Sequence, residues 1–163
     1  MDKETAKKIL EIMLTADGGC EYCVRDLYLK FIKAFPEYAY LARKMYREKF
    51  NQELITEELA EEIIKDVIHE VVENNHLQLE KIMLFGSRVR KTERKDSDWD
   101  VLLITKQDID KHTKRKLFKE ITEKLSYYLI PCDVIIKSGK EIEHYKDFYG
   151  TATYEALREG KIL

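Results

Sequence analysis

The segment 84-LFGSRVRKTERKDSDWDVLLI-104 decides how this chain is read. An apolar run, Ile82-Met83-Leu84-Phe85, enters Gly86-Ser87, and Asp98-Trp99-Asp100 opens a second run, Val101-Leu102-Leu103-Ile104. Short continuous apolar runs fit strands buried on both faces. Residues two apart on a strand project to the same side, so the spacing sets Asp98 and Asp100 together with Trp99 turned away. Adjacent carboxylates repel one another. A divalent cation between them relieves that repulsion, and all-oxygen donors favour Mg²⁺ or Mn²⁺. Asp133 is the candidate third carboxylate, because it stands at the mouth of a third apolar run, Val134-Ile135-Ile136, where a charge is costly unless it is used or solvated.

The turn between the first two strands adds a second kind of chemistry. Gly86 permits close backbone approach, Ser87 offers a hydroxyl, and free N–H groups at such a turn bind phosphate. Arg88, Arg90, Lys91, Arg94 and Lys95 gather there against the single Glu93. A positive loop beside a metal-binding acidic pair suits a polyphosphate undergoing in-line displacement at phosphorus. Asp-x-Asp, a Gly-Ser turn and a basic loop are each common alone; their ordered combination, with ten residues between Ser87 and Asp98 and a later strand-borne Asp133, is not.

Outward from this segment the periodicity becomes helical. Residues 3–14 carry Ala6, Ile9, Leu10, Met13 and Leu14 at helical spacing, and Asp17-Gly18-Gly19 breaks the pattern. A second helix runs from Glu21 to Phe35, where Pro36 interrupts it, and a third from Glu37 to Phe50 with Tyr38, Leu41, Met45 and Tyr46 as a core-facing stripe. Thr56 followed by Glu57 and Glu58 caps a fourth, on which Leu59, Ile63, Val67 and Val71 form one row and Ala60, Ile64, Ile68 and Val72 another. A helix over 108–129 separates the last two strands, with Leu117, Phe118, Ile121, Leu125 and Tyr128 on one side. The expected fold is α/β (α+β): a small mixed sheet of three strands flanked by helices, in residues 56–163, with an N-terminal helical extension over 1–55.

Composition narrows the function. Among 163 residues, 29 Lys and Arg face 31 Asp and Glu, and a net charge of -2 argues against a dedicated nucleic-acid binder. No stretch reaches the length of a membrane span and no secretory signal opens the chain, so a soluble cytoplasmic protein is expected. Three cysteines do not make a secreted disulfide framework. Cys20 and Cys23 form a lone CxxC, and His69, His76, His112 and His144 have no spacing that would complete a zinc site.

On these residues the chain resembles the DNA polymerase β-type nucleotidyltransferase superfamily, whose signature is a Gly-Ser pair followed about ten residues later by Asp-x-Asp. More narrowly, GSRVR…SDWDVLLI and the ending 154-YEALREGKIL-163 resemble the minimal, antitoxin-like nucleotidyltransferases. The resemblance covers about residues 56–163. It implies a nucleotidyltransferase-type fold, with Asp98, Asp100 and Asp133 as metal-binding and catalytic carboxylates and Gly86, Ser87 and the neighbouring Arg88 on the triphosphate. The expected reaction is Mg²⁺-dependent transfer of a nucleoside monophosphate from a nucleoside triphosphate, most simply ATP. The acceptor implied is a side-chain hydroxyl, typically tyrosine, on a partner toxin of the HEPN class. Transfer to a small aminoglycoside-like molecule, or a non-catalytic antitoxin acting by occlusion, are the alternatives. Many relatives read Gly-Ser-Arg-Ala-Arg-Gly; here Val89 and Lys91 replace the Ala and the second Gly.

Overall fold

Helix punctuation in the first part of the chain follows the residues that cap or break a helix. The computed structural model describes residues 1–92 and 97–163, with the side chain of Asp17 left out, so Glu93, Arg94 and Lys95 of the basic loop lie outside the described residues. Helix α1 (Lys3–Thr15) starts at Asp2, whose carboxylate accepts from the Thr5 N–H at 2.9 Å and the Thr5 hydroxyl at 2.8 Å. Helix α2 spans Glu21–Ala34. Pro36 fixes its own φ and lacks an N–H, so Pro36–Tyr38 winds as a tight 3₁₀ turn and α3 begins at Ala39, running to Phe50. The expected third helix thus starts two residues late.

Met1–Ala60 and Tyr127–Leu129 form one compact unit, Glu61–Ser126 and Ile130–Leu163 another. The first buries Ala6, Leu10, Val24, Tyr28, Ile32, Ala42, Tyr46 and Leu54. Of the stripe expected on α3, Met45 and Tyr46 are buried, whereas Tyr38 and Leu41 are half-buried. Tyr22 and Tyr40 point to solvent.

Helix α4 (Glu57–Asn74) begins where the Thr56 hydroxyl accepts from the Leu59 N–H at 3.3 Å, and from Glu61 onward it belongs to the second unit. Four strands follow: β1 (Leu79–Phe85), β2 (Trp99–Thr105), β3 (Cys132–Ser138) and β4 (Lys161–Ile162). Their order is β3-β2-β1-β4, with β2 parallel to β3 and the other pairs antiparallel. The sheet is mixed and flanked by helices, as expected, but it has four strands rather than three. The fourth has only two exposed residues, paired with Met83 and Leu84, and so leaves no apolar run to read.

Alternation sorts the sheet into two faces. Met83, Phe85, Leu102 and Ile104 share one, in a buried cluster with Ala156 and the half-buried Ile135, Ile142 and Leu157. Helices α7 (Gly139–Tyr145) and α8 (Ala152–Glu159) therefore cover that face. Ile82, Leu84, Val101, Leu103, Val134 and Ile136 are buried on the other. Helix α6 (Lys111–Tyr127) is the crossover between the parallel strands. It is tied to α4 by Lys124, which donates to Glu70 at 2.9 Å. Its buried row is Leu117, Ile121 and Leu125; Phe118, expected beside them, is 42% exposed because it falls one position off that i, i+4 row. Among the described residues no helix is long and apolar enough to cross a membrane.

Candidate active site

Strand register brings the chemistry together. Asp100 pairs across β1/β2 with Phe85, the last residue before Gly86, and across β2/β3 with Asp133. It therefore stands between the Gly86 turn on one side and a second carboxylate on the other, and in-register alternation sets Asp100 and Asp133 on the face that α8 covers. Asp98 lies exposed just before β2, and Trp99 is buried, with its N–H donating to the Pro131 carbonyl at 2.9 Å.

Gly86 starts a four-residue helical turn, α5 (Gly86–Val89), at φ +78°, a conformation that strains any residue with a Cβ. A Cβ there would collide with Asp100 Oδ2 and come within 2.9 Å of its Cγ. Glycine is required twice over, and the Asp100 carboxylate rests against the Gly86 backbone.

The Asp100 carboxyl feels its neighbours. Burial, then the charges of Asp133 and Asp98, hold the Asp100 carboxyl above its ordinary range; Glu155 of α8 adds to this and Arg90 opposes it. The Cys132 thiol is pushed up to about 12 by burial first and then by Asp133, Asp100 and Asp98, so it is an inert thiol inside the same negative field.

The basic residues divide. Arg88 turns onto the segment that precedes β2: its Nε and Nη2 donate to the Ser97 carbonyl at 3.1 and 2.6 Å, and its guanidinium lies 4.5 Å from the Trp99 ring centre. Arg90 pairs with Glu159 of α8. Lys91 closes α5: its N–H returns to the Arg88 carbonyl at 3.2 Å and the Thr92 N–H to the Ser87 carbonyl at 3.0 Å. This is the paired hydrogen-bond pattern of a Schellman cap, which places residue 91 at the position where glycine is favoured. Lys91 adopts φ +54°, at a cost on the order of 1 kcal/mol relative to glycine.

Among the described residues, no group of three or more His, Cys, Asp or Glu side chains is arranged so that it could hold a metal ion. The donor chemistry nevertheless fits a hard dication. Asp98, Asp100 and Asp133 offer only oxygens, and Asp100 is partly buried beside like charges, an imbalance that an oxygen-seeking ion relieves.

The family model for polymerase beta nucleotidyltransferases matches residues 65–163. The chain belongs to this family. Its nucleotidyltransferase domain thus contains the whole sheet, the Gly86 turn and all three carboxylates. A solved structure described as the crystal structure of the toxin-antitoxin with AMP-PNP is similar at 20% identity and a TM-score of 0.39, over 60% of this chain and 70% of that one. A search of curated proteins returns no match.

Two residues beside the candidate site escaped the sequence reading. Glu155 and Glu159 lie one helical turn apart on α8, the first acting on Asp100 and the second holding Arg90. Their i, i+4 spacing was the available signal, but it marks a shared face without naming what that face meets. The stacking of Arg88 on Trp99 had no local signal at all.

Proposed function

We propose that this chain is a Mg²⁺-dependent nucleotidyltransferase that moves a nucleoside monophosphate, AMP from ATP in the simplest case, onto a hydroxyl of a partner protein. One observation carries the reading: Asp100, half-buried against the Gly86 backbone, is paired in register with Asp133 and lies within the field of Asp98. Asp98, Asp100 and Asp133 would hold the metal, which when bound neutralises triphosphate and pyrophosphate charge. Gly86 and Ser87 lie against the triphosphate, while Arg88 keeps the segment carrying Asp98 in place. The acceptor oxygen attacks the α-phosphorus, the bond to the bridging oxygen of the β-phosphate breaks, and pyrophosphate leaves. The hydroxyl proton passes to a carboxylate of the trio and then to solvent.

The resemblance of 86-GSRVR-90 and 97-SDWDVLLI-104 to the minimal nucleotidyltransferases supports a protein acceptor, namely a tyrosine of a HEPN-type toxin. The test is incubation with Mg²⁺ and ATP labelled at the α-phosphate, alone and with a lysate of the source cells, beside the Asp98→Ala/Asp100→Ala variant. Covalent label on a protein that requires both aspartates supports transfer. Absence of label together with no Mg²⁺–ATP binding by calorimetry overturns it.

A second reading, neutralisation by occlusion, has one observation in its favour: among the described residues no three His, Cys, Asp or Glu side chains are arranged to hold a metal ion. On that reading the double variant still neutralises its partner in cells. An enzymatic antitoxin loses neutralisation.

A further inference from the structure

We infer that Lys91 is a triphosphate-binding residue, supplying by its ammonium a charge that Arg88 and Arg90 are turned away from providing. The inference rests on the nucleotidyltransferase reading above and adds a residue at a position where the family motif carries glycine.

Three observations converge. The first is conformational: Lys91 occupies the left-handed position of the α5 cap at φ +54°, where glycine would be the unstrained choice. The second is how the neighbouring cations are used. Arg88 is bonded to the Ser97 carbonyl and stacked on Trp99, and Arg90 is paired with Glu159. Lys91 is exposed, and its ammonium has no hydrogen-bond or ion-pair partner among the described residues. The third is position. The cap bonds Thr92 N–H to Ser87 O and Lys91 N–H to Arg88 O, so the Lys91 backbone is fastened to the loop that carries Ser87. A compact ammonium on a long flexible stem is a point-charge binder of phosphate, needing no fixed fork geometry. Attached there, it can follow the outer phosphates as they become pyrophosphate.

Leu129 is an internal control for the backbone part. It also caps a helix, α6, at φ +54°, with the Ile130 N–H returning to the Leu125 carbonyl at 3.1 Å, and it carries no charge. Replacing either residue by glycine should raise the melting temperature, but only the change at Lys91 should touch nucleotide binding.

Calorimetric titration of the full chain with Mg²⁺–ATP and with AMP, paired with thermal melts, tests this. Lys91→Gln should weaken ATP binding about tenfold, as expected for one hydrogen bond to a charged group, and leave AMP binding unchanged. Lys91→Arg should retain most of the affinity. Lys91→Gly should melt higher than the wild type yet bind ATP as weakly as Lys91→Gln, whereas Leu129→Gly should melt higher and bind ATP normally. Wild-type binding that survives Lys91→Gln undiminished overturns the role of Lys91 alone. A wild-type chain that binds no Mg²⁺–ATP overturns the nucleotidyltransferase reading, and this inference with it.

Discussion

In the helical unit, Tyr28 donates its hydroxyl proton to the Leu10 carbonyl at 3.0 Å. Tyr46 sits between Arg25, which donates to it at 3.1 Å, and Glu21, which accepts from it at 3.2 Å. Arg43 gives its guanidinium to the Tyr128 and Leu129 carbonyls and lies 3.8 Å from Glu53. At the mouth of β2 and β3, by contrast, Asp100 is half-buried beside Asp133 and Asp98, Glu155 adds a further negative charge, and Arg90 opposes them. The first arrangement matches buried polar groups with partners, as a fold selected for stability must. The second accepts an unfavourable charge, and an imbalance of that kind marks a place built to receive something.

The largest effect expected from disturbing this contrast is at Asp100. Asp100→Asn keeps the side-chain shape and removes the charge, so nucleotidyl transfer should fall about a hundredfold or more in the α-label assay. Stability should move the opposite way. Because the folded-state carboxyl titrates above its unfolded value, the unfolded chain releases its proton first as pH rises, and the wild type loses stability across that window. At neutral pH the variant should therefore melt higher than the wild type, and below the ordinary carboxylate range the two should melt together. Equal melting at both pH values would remove the charge imbalance from the account.

Gly86→Ala tests the contact on which that imbalance rests. The added methyl meets Asp100 Oδ2 at a positive φ, so urea melts should show a loss of about 2 kcal/mol together with loss of transfer. An alanine variant with wild-type activity would mean that the carboxylate does not need its place against the Gly86 backbone. The smallest effect belongs to the balanced region. Tyr28→Phe deletes one buried hydrogen bond, costs about 1 kcal/mol in the same melts, and leaves transfer unchanged.

The contrast also explains what could be read in advance. The runs at 82–85, 101–104 and 134–136 announced strands because both faces of the sheet are covered, and Pro36 and Thr56 announced helix limits through backbone chemistry that acts locally. Strand β4 was invisible because two exposed residues pairing with a distant edge carry no periodicity. At the site, the expectation that Asp98 and Asp100 stand near Asp133 came from where the apolar runs begin, and the β2/β3 register sets Asp100 opposite Asp133. What could not be read was reciprocal: that Gly86 is glycine because of Asp100, and that Arg88 holds the segment carrying Asp98. Both depend on contacts between residues nine or more positions apart.

The β2/β3 register has a further consequence, in time rather than in space. Asp100 and Asp133 become neighbours only when β3 docks alongside β2, after a crossover that includes all of α6. Parallel pairing across so long a connection is among the slower events available to a folding chain. The charge of Asp133 thus reaches Asp100 only when β3 docks, whereas Asp98 stands two residues from Asp100 in the chain itself. A chain held before that step would carry the Gly86 turn and two of the three carboxylates beside the β1–β2 pair, and would lack only the third, on the last buried strand to arrive.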